Sequence, residues 1–203
     1  MRTIELKIYE FEELPKEVQS RVITNLSDIN TDYEWYDGEF AYWKEKLEEF
    51  GFMTPEIFFS GFCSQGDGAC FNCKSIDLEK AWKFFKIDMA KQNNWIHHKL
   101  QVNEAWLYDY LYNYVTFEIQ CVNSRYSHEN SQTVCSYCYK PVSGVLDKFY
   151  TEFEDWLEDF RRGLCMEIYR NLEDEYNHLI SEDAVKDTIL ANGYEFYPDG
   201  KIA

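Results

Sequence analysis

The sequence predicts an α+β fold: an antiparallel sheet built from an N-terminal strand and two hairpins, with several amphipathic helices packed on it, including one long C-terminal helix. Three observations carry this prediction. Short segments near the N-terminus and between residues 114 and 139 alternate apolar with polar residues, the period of a half-buried strand. A glycine-rich polar run interrupts an apolar stretch at residues 58–73, as a hairpin turn does. From Leu146 to Leu172 apolar residues recur every three or four positions, the period of a helix. With 45% hydrophobic and 18% aromatic residues among 203, the chain can build a substantial core, and residues 1–203 read as a single α+β domain.

In chain order, Thr3–Phe11 places Ile4, Leu6 and Ile8 on one side and Thr3, Glu5, Lys7 and Tyr9 on the other, a strand. Leu14-Pro15 opens a helix, since proline has no N–H to lose in a first turn. Val18, Val22 and Leu26 form its buried stripe, broadened by Ile23. Asp32 is the expected cap of a second helix, with Tyr36, Phe40, Trp43, Leu47 and Phe50 inward and Gly51 at its end. Two short strands then flank Gln65-Gly66-Asp67-Gly68, a tight turn that displays Ser64, Gln65 and Asp67.

Ser75 or Asp77 caps the next helix, whose inner face carries Leu78, Trp82, Phe85 and Met89. Gln92-Asn93-Asn94 breaks the pattern, and Leu100–Tyr112 resumes it with Trp106, Leu107, Tyr110 and Leu111. Tyr114–Asn123 and Thr133–Tyr139 are the strands of a second hairpin. Its tip holds Arg125, Tyr126, Ser127, His128, Glu129, Asn130 and Ser131, a concentration of acid–base groups. After the break at 141–144 comes the long helix. Continuous to Leu179, it spans about 50 Å at 1.5 Å per residue, and Gly163 is a position that can bend or break it. A short helix over Glu182–Leu190 and a terminal Tyr194–Tyr197 strand or tail close the chain.

Charge narrows the function classes. Twenty basic residues against 37 acidic ones leave a net −17. Such a chain repels phosphate, so neither direct nucleic-acid binding nor attachment to acidic lipid is expected. It attracts basic surfaces instead. The N-terminus alternates from the outset and no apolar run reaches membrane length, so a cytoplasmic location is expected. Seven cysteines, an odd number, fit reduced, mostly buried thiols.

Cys70-x-x-Cys73 and Cys135-x-x-Cys138 have the spacing of zinc half-sites. Each pair lies in a predicted strand, however, where positions i and i+3 point to opposite faces. The preferred reading is buried thiols, with no metal and no cofactor. His97-His98 points in two directions and makes a poor chelate. Candidate partner- or ligand-binding residues are Ser64, Gln65, Asp67, Arg125, Tyr126, His128 and Glu129, which converge if the two hairpin tips meet. The acidic side of the long helix, Glu152, Glu154, Asp155, Glu158 and Asp159, ranks second. No catalytic triad, phosphate cradle or dinucleotide fingerprint is present.

The run Phe59-Ser60-Gly61-Phe62-Cys63-Ser64-Gln65-Gly66-Asp67-Gly68-Ala69 resembles the Ser-Gly-Phe-x-Ser-Gln-Gly-Asp-Gly-Ala signature of a family of phage and prophage antitoxin-like proteins. Phe11-Glu12-Glu13-Leu14, Arg125-Tyr126-x-His128-Glu129-x-Ser131 and Ala191-Asn192-Gly193-Tyr194-Glu195-Phe196 are similar to other stretches of that family. The resemblance implies a phage-encoded counter-defence protein that neutralises a host toxin. One target within that picture is an ADP-ribosyltransferase that modifies thymine in DNA. The expected activity is therefore non-enzymatic: stoichiometric binding of a host toxin or defence protein with a basic surface. The alternative is a nucleotide-derived small-molecule binder or hydrolase, with Asp67, His128 and Glu129 as acid–base groups and Arg125 on an anion.

Overall fold

A computed structural model of the chain describes residues 7–91, 103–122, 125–140 and 144–203. The fold is α+β, with short antiparallel strand pairs, helices packed on them and one long helix near the C-terminus. Contacts divide the chain into two compact units, residues 39–171 and residues 1–38 with 172–203.

In the unit that joins the chain ends, β1 (Tyr9–Glu10) pairs antiparallel with β8 (Glu195–Phe196). Among the described residues the N-terminal strand pairs with the terminal segment and not with the hairpins. It is also short, with residues 3–6 outside the described residues. Helix α1 (Lys16–Asn25) follows Pro15, and its Val18 and Val22 pack with Phe11, Leu14, Val185, Ile189 and Phe196. Each apolar side chain of this size removed from water contributes about 1.5–3 kcal/mol. Helix α6 (Glu182–Asn192) begins at Ser181, whose hydroxyl accepts from the Ala184 N–H. The buried Asn30 is satisfied at both ends: it donates to the Leu179 carbonyl at 2.9 Å and accepts from Thr188 at 2.7 Å.

The larger unit contains both hairpins. Helix α2 (Asp37–Glu49) starts five residues beyond the expected cap at Asp32, because Tyr33–Glu34 folds as tight turns to Trp35 and Asp37. Strands β2 (Phe52–Met53) and β5 (Ser75–Ile76) continue the pairing of β3 (Glu56–Ser60) with β4 (Gly68–Asn72). Asp77 caps α3 (Leu78–Lys91), accepting from the Glu79 and Lys80 N–H groups. Helix α4 (Glu104–Tyr114) is capped by Asn103 and runs directly into β6 (Val115–Cys121), which pairs with β7 (Gln132–Cys138). Val115, Phe117 and Ile119 of β6 are buried as their alternation requires.

Helix α5 (Val145–Leu179) is unbroken over 35 residues. Gly163 does not interrupt it. Its Phe149, Phe153 and Leu157 are buried, and Phe153 packs edge-on against Phe85 of α3 and Phe117 of β6. This stripe fixes α5 against α3 and the second hairpin, which is what positions the site.

Candidate functional site

The first hairpin loop, residues 61–67, is wider than a tight turn. Asp67 does not project from it. Its Oδ2 accepts from the Cys63 N–H at 2.9 Å and the Ser64 N–H at 2.6 Å, closing the loop on its own carboxylate. Asp67, half-buried, thus holds its own loop with Oδ2: a carboxylate three or four residues from free amides finds them first. Ser64 and Gln65 remain exposed.

The second loop turns on Ser131 and His128. Ser131 is buried; its hydroxyl donates to the Tyr126 carbonyl and accepts from the His128 N–H at 3.1 Å. His128 Nδ1 accepts from the Asn130 N–H at 3.1 Å. Glu129 Oε2 approaches the same nitrogen to 3.9 Å. Glu129 Oε1 accepts from Asn130 Nδ2 at 3.2 Å. Arg125 lies over the Tyr126 ring, 5.4 Å from its centroid.

Arg161 of α5 holds this loop, and the sequence reading missed it. The side chain is fully buried. Its Nη2 donates to the Glu129 carbonyl at 2.7 Å and the Gln132 carbonyl at 2.8 Å. Nε and Nη2 also fork onto Glu158 at 3.0 and 2.8 Å. Glu158 in turn accepts from the Val134 N–H at 2.8 Å, and Arg162 stands 2.8 Å from it. Burial pushes the Glu158 carboxyl up, but the hydrogen bonds from Arg161 and Val134 and the two guanidinium charges outweigh it, leaving it below its ordinary value. The available signal was Arg161's position, four residues after Leu157 and three before Leu164, on the apolar stripe itself. A charge there must be paired.

Glu158 is thus no part of a solvated acidic face. Glu154 also turns inward and accepts from Ser136 of β7. Glu152 and Asp159 instead border a groove of about 480 Å³ with Asp88 and Glu167, floored by Trp156, Phe160 and Leu164. Trp156 Nε1 donates to Asp88 at 3.2 Å, and the Trp156 and Phe160 rings stack at 5.0 Å.

The two hairpin loops meet. A Cβ added to Gly68 would lie 2.4 Å from His128 Cβ and 2.8 Å from its Cα, so only glycine permits this approach. A Cβ added to Gly66, at φ 98°, would lie 3.5 Å from the Tyr126 ring. Behind the contact is a pocket of about 280 Å³, lined by Phe58, Cys70 and Asn72 from one hairpin and by Cys121, Tyr126, Ser127 and Gln132 from the other. The structure therefore brings Tyr126 and His128 to the glycines of the first loop, while the Asp67 carboxylate closes its own loop and the Glu129 backbone carbonyl is held by Arg161.

The four cysteines of the zinc-like spacing do not gather. Cys138 contacts the Tyr110 hydroxyl at 2.9 Å and donates to the Lys140 carbonyl, while Cys135 sits opposite Glu118. Burial pushes the Cys70 and Cys73 thiols up to about 11, which disfavours the thiolate that a metal needs. Among the described residues no three His, Cys, Asp or Glu side chains are arranged to hold a metal ion. His97-His98 lies outside the described residues. No described helix is long and apolar enough to cross a membrane.

These features define an acidic α+β protein whose two hairpin loops form one face and whose long helix borders an acidic groove. The chain belongs to the DUF8835 family, a domain of unknown function, with the match over residues 35–182. No curated protein and no solved structure matches it.

Proposed function

We propose that this protein is a non-enzymatic, antitoxin-like binder that neutralises a host toxin or defence protein by docking on its basic surface. The observation that carries the reading is the groove on α5. Asp88, Glu152, Asp159 and Glu167 surround an aromatic floor; among the described residues no Lys or Arg lines it, and Lys91 reaches Asp88 at 3.6 Å from outside the lining. Such a site suits Arg or Lys side chains, whose stems lie on the rings while their charges meet the carboxylates. The net charge of −17 steers a basic partner toward it and disfavours nucleic acid as the direct ligand. The resemblance of residues 59–69 to phage antitoxin-like proteins supports the same class and a cytoplasmic site of action. A hydrolase draws less support, because Asp67 is committed to its loop and His128 Nδ1 to Asn130.

The test is co-expression with a DNA-modifying ADP-ribosyltransferase toxin, followed by co-purification at low and high salt. Growth rescue should track a one-to-one complex that dissociates in high salt. The variant Glu152→Gln/Asp159→Asn/Glu167→Gln should fold normally yet lose at least tenfold in affinity. A complex indifferent to salt and to these substitutions contradicts the groove as the docking surface.

A further inference from the structure

We infer that the pocket between the hairpins is a binding site for an uncharged nucleobase or nucleoside whose base presents an N–H donor. This site is distinct from the α5 groove and does not depend on the docking proposal. Gln132 is only 7% exposed and lines the pocket, and its Oε1, closed off from solvent, meets no donor among the described residues; a turn of the amide toward the pocket brings it to a ligand. Its backbone carbonyl is already fixed by Arg161 at 2.8 Å. A buried amide acceptor held this rigidly is costly unless something donates to it. The glutamine amide, like that of asparagine, matches the amino edge of adenine.

The rest of the lining fits a flat, neutral ring. Phe58 is 44% exposed and Tyr126 40% exposed although both border the pocket, and such faces take bases by stacking. Among the described residues no Lys, Arg, Asp or Glu lines it. Arg161 is fully buried and forked onto Glu158, so it is not available to a phosphate; Arg125, which lies over the Tyr126 ring, is the cation that the monophosphate arm of the test reads. The Cys70 thiol stays protonated, pushed up to about 11 chiefly by burial. At about 280 Å³ the space falls just under the roughly 300 Å³ at which ligand pockets begin, enough for a base and little more.

The experiment is calorimetric or ligand-detected NMR titration of the full chain with adenosine, cytidine, N6,N6-dimethyladenosine and adenosine 5′-monophosphate. Adenosine or cytidine should bind with a Kd below about 1 mM. The dimethylated nucleoside, which has no amino donor, should bind at least tenfold more weakly than adenosine, and the monophosphate no more tightly. Gln132→Met should weaken binding at least tenfold. Phe58→Ala, on an exposed strand position, should weaken it about fivefold or more without loss of fold. Absence of binding by both adenosine and cytidine overturns the inference. So does binding that survives both substitutions, or tighter binding of the monophosphate, which would mean that a cation and not the amide reads the ligand.

Discussion

Loop 61–67 closes on its own carboxylate, Asp67, within four residues of the amides it holds. Loop 125–131 depends on a guanidinium that lies 32 residues from Glu129 in the chain and belongs to another element. Both loops end on the same face, in contact through Gly68 and His128. The difference teaches how order is distributed there. The first loop carries its own fastener and is expected to keep its shape when its neighbours change. The second takes its shape from α5, so anything that shifts the helix also shifts the loop, the pocket wall at Gln132 and the contact at His128.

The largest effect should come from cutting the remote fastener. Arg161→Met leaves Glu158 half-buried without its fork and two loop carbonyls without a donor. The expected loss is about 3–5 kcal/mol in urea unfolding, and Arg161→Met/Glu158→Met should recover much of it. A loss below about 1 kcal/mol would mean that the second loop holds itself as the first does. Gly68→Ala tests the meeting point. The added methyl cannot share space with His128, so a destabilisation of about 1–3 kcal/mol is expected.

Asp67→Ala should be smaller, about 1 kcal/mol, because its two hydrogen bonds lie in a partly solvated loop. Its signature is local: faster amide exchange at Cys63 and Ser64 with Ser131 unchanged. The smallest effect is the pH response. The Glu158 carboxyl titrates below its ordinary 4.5 in the folded protein, so its contribution is complete above that pH and is lost as pH falls through the lowered folded value. Thermal unfolding followed from pH 6 to pH 3 should therefore fall less steeply for Glu158→Gln than for the native protein.

The sequence made the locally encoded parts legible. The three-to-four spacing from Phe149 to Leu172 gives α5, alternation gives β6, and Asp77 and the Leu14-Pro15 start announce helices α3 and α1. Long-range features left little trace. Strands β1 and β8 are two residues each and lie at opposite ends of the chain, so nothing near either one signals its partner. The acidic side of α5 read as one face, yet it divides into Glu154 and Glu158, turned to the second hairpin, and Glu152 and Asp159, which border the groove. Helical spacing alone cannot tell which packed neighbour a carboxylate meets. Of the candidate site, the glycine-rich loop and the Tyr126–His128 segment were visible as polar tips. Their contact, and the role of Arg161 beneath them, depend on packing that no local motif encodes.

The most direct test of the account is residue-resolved amide hydrogen exchange on Arg161→Lys. Lysine keeps the charge but cannot reproduce the planar fork onto Glu158 together with both loop carbonyls. The account predicts that protection falls at Val122, Ser131 and Val134, whose amides bond within or beside the second loop, while Cys63 and Ser64 are unchanged. Equal loss at both loops, or no loss at Ser131 and Val134, would contradict the claim that α5 holds one half of this face and the chain's own Asp67 the other.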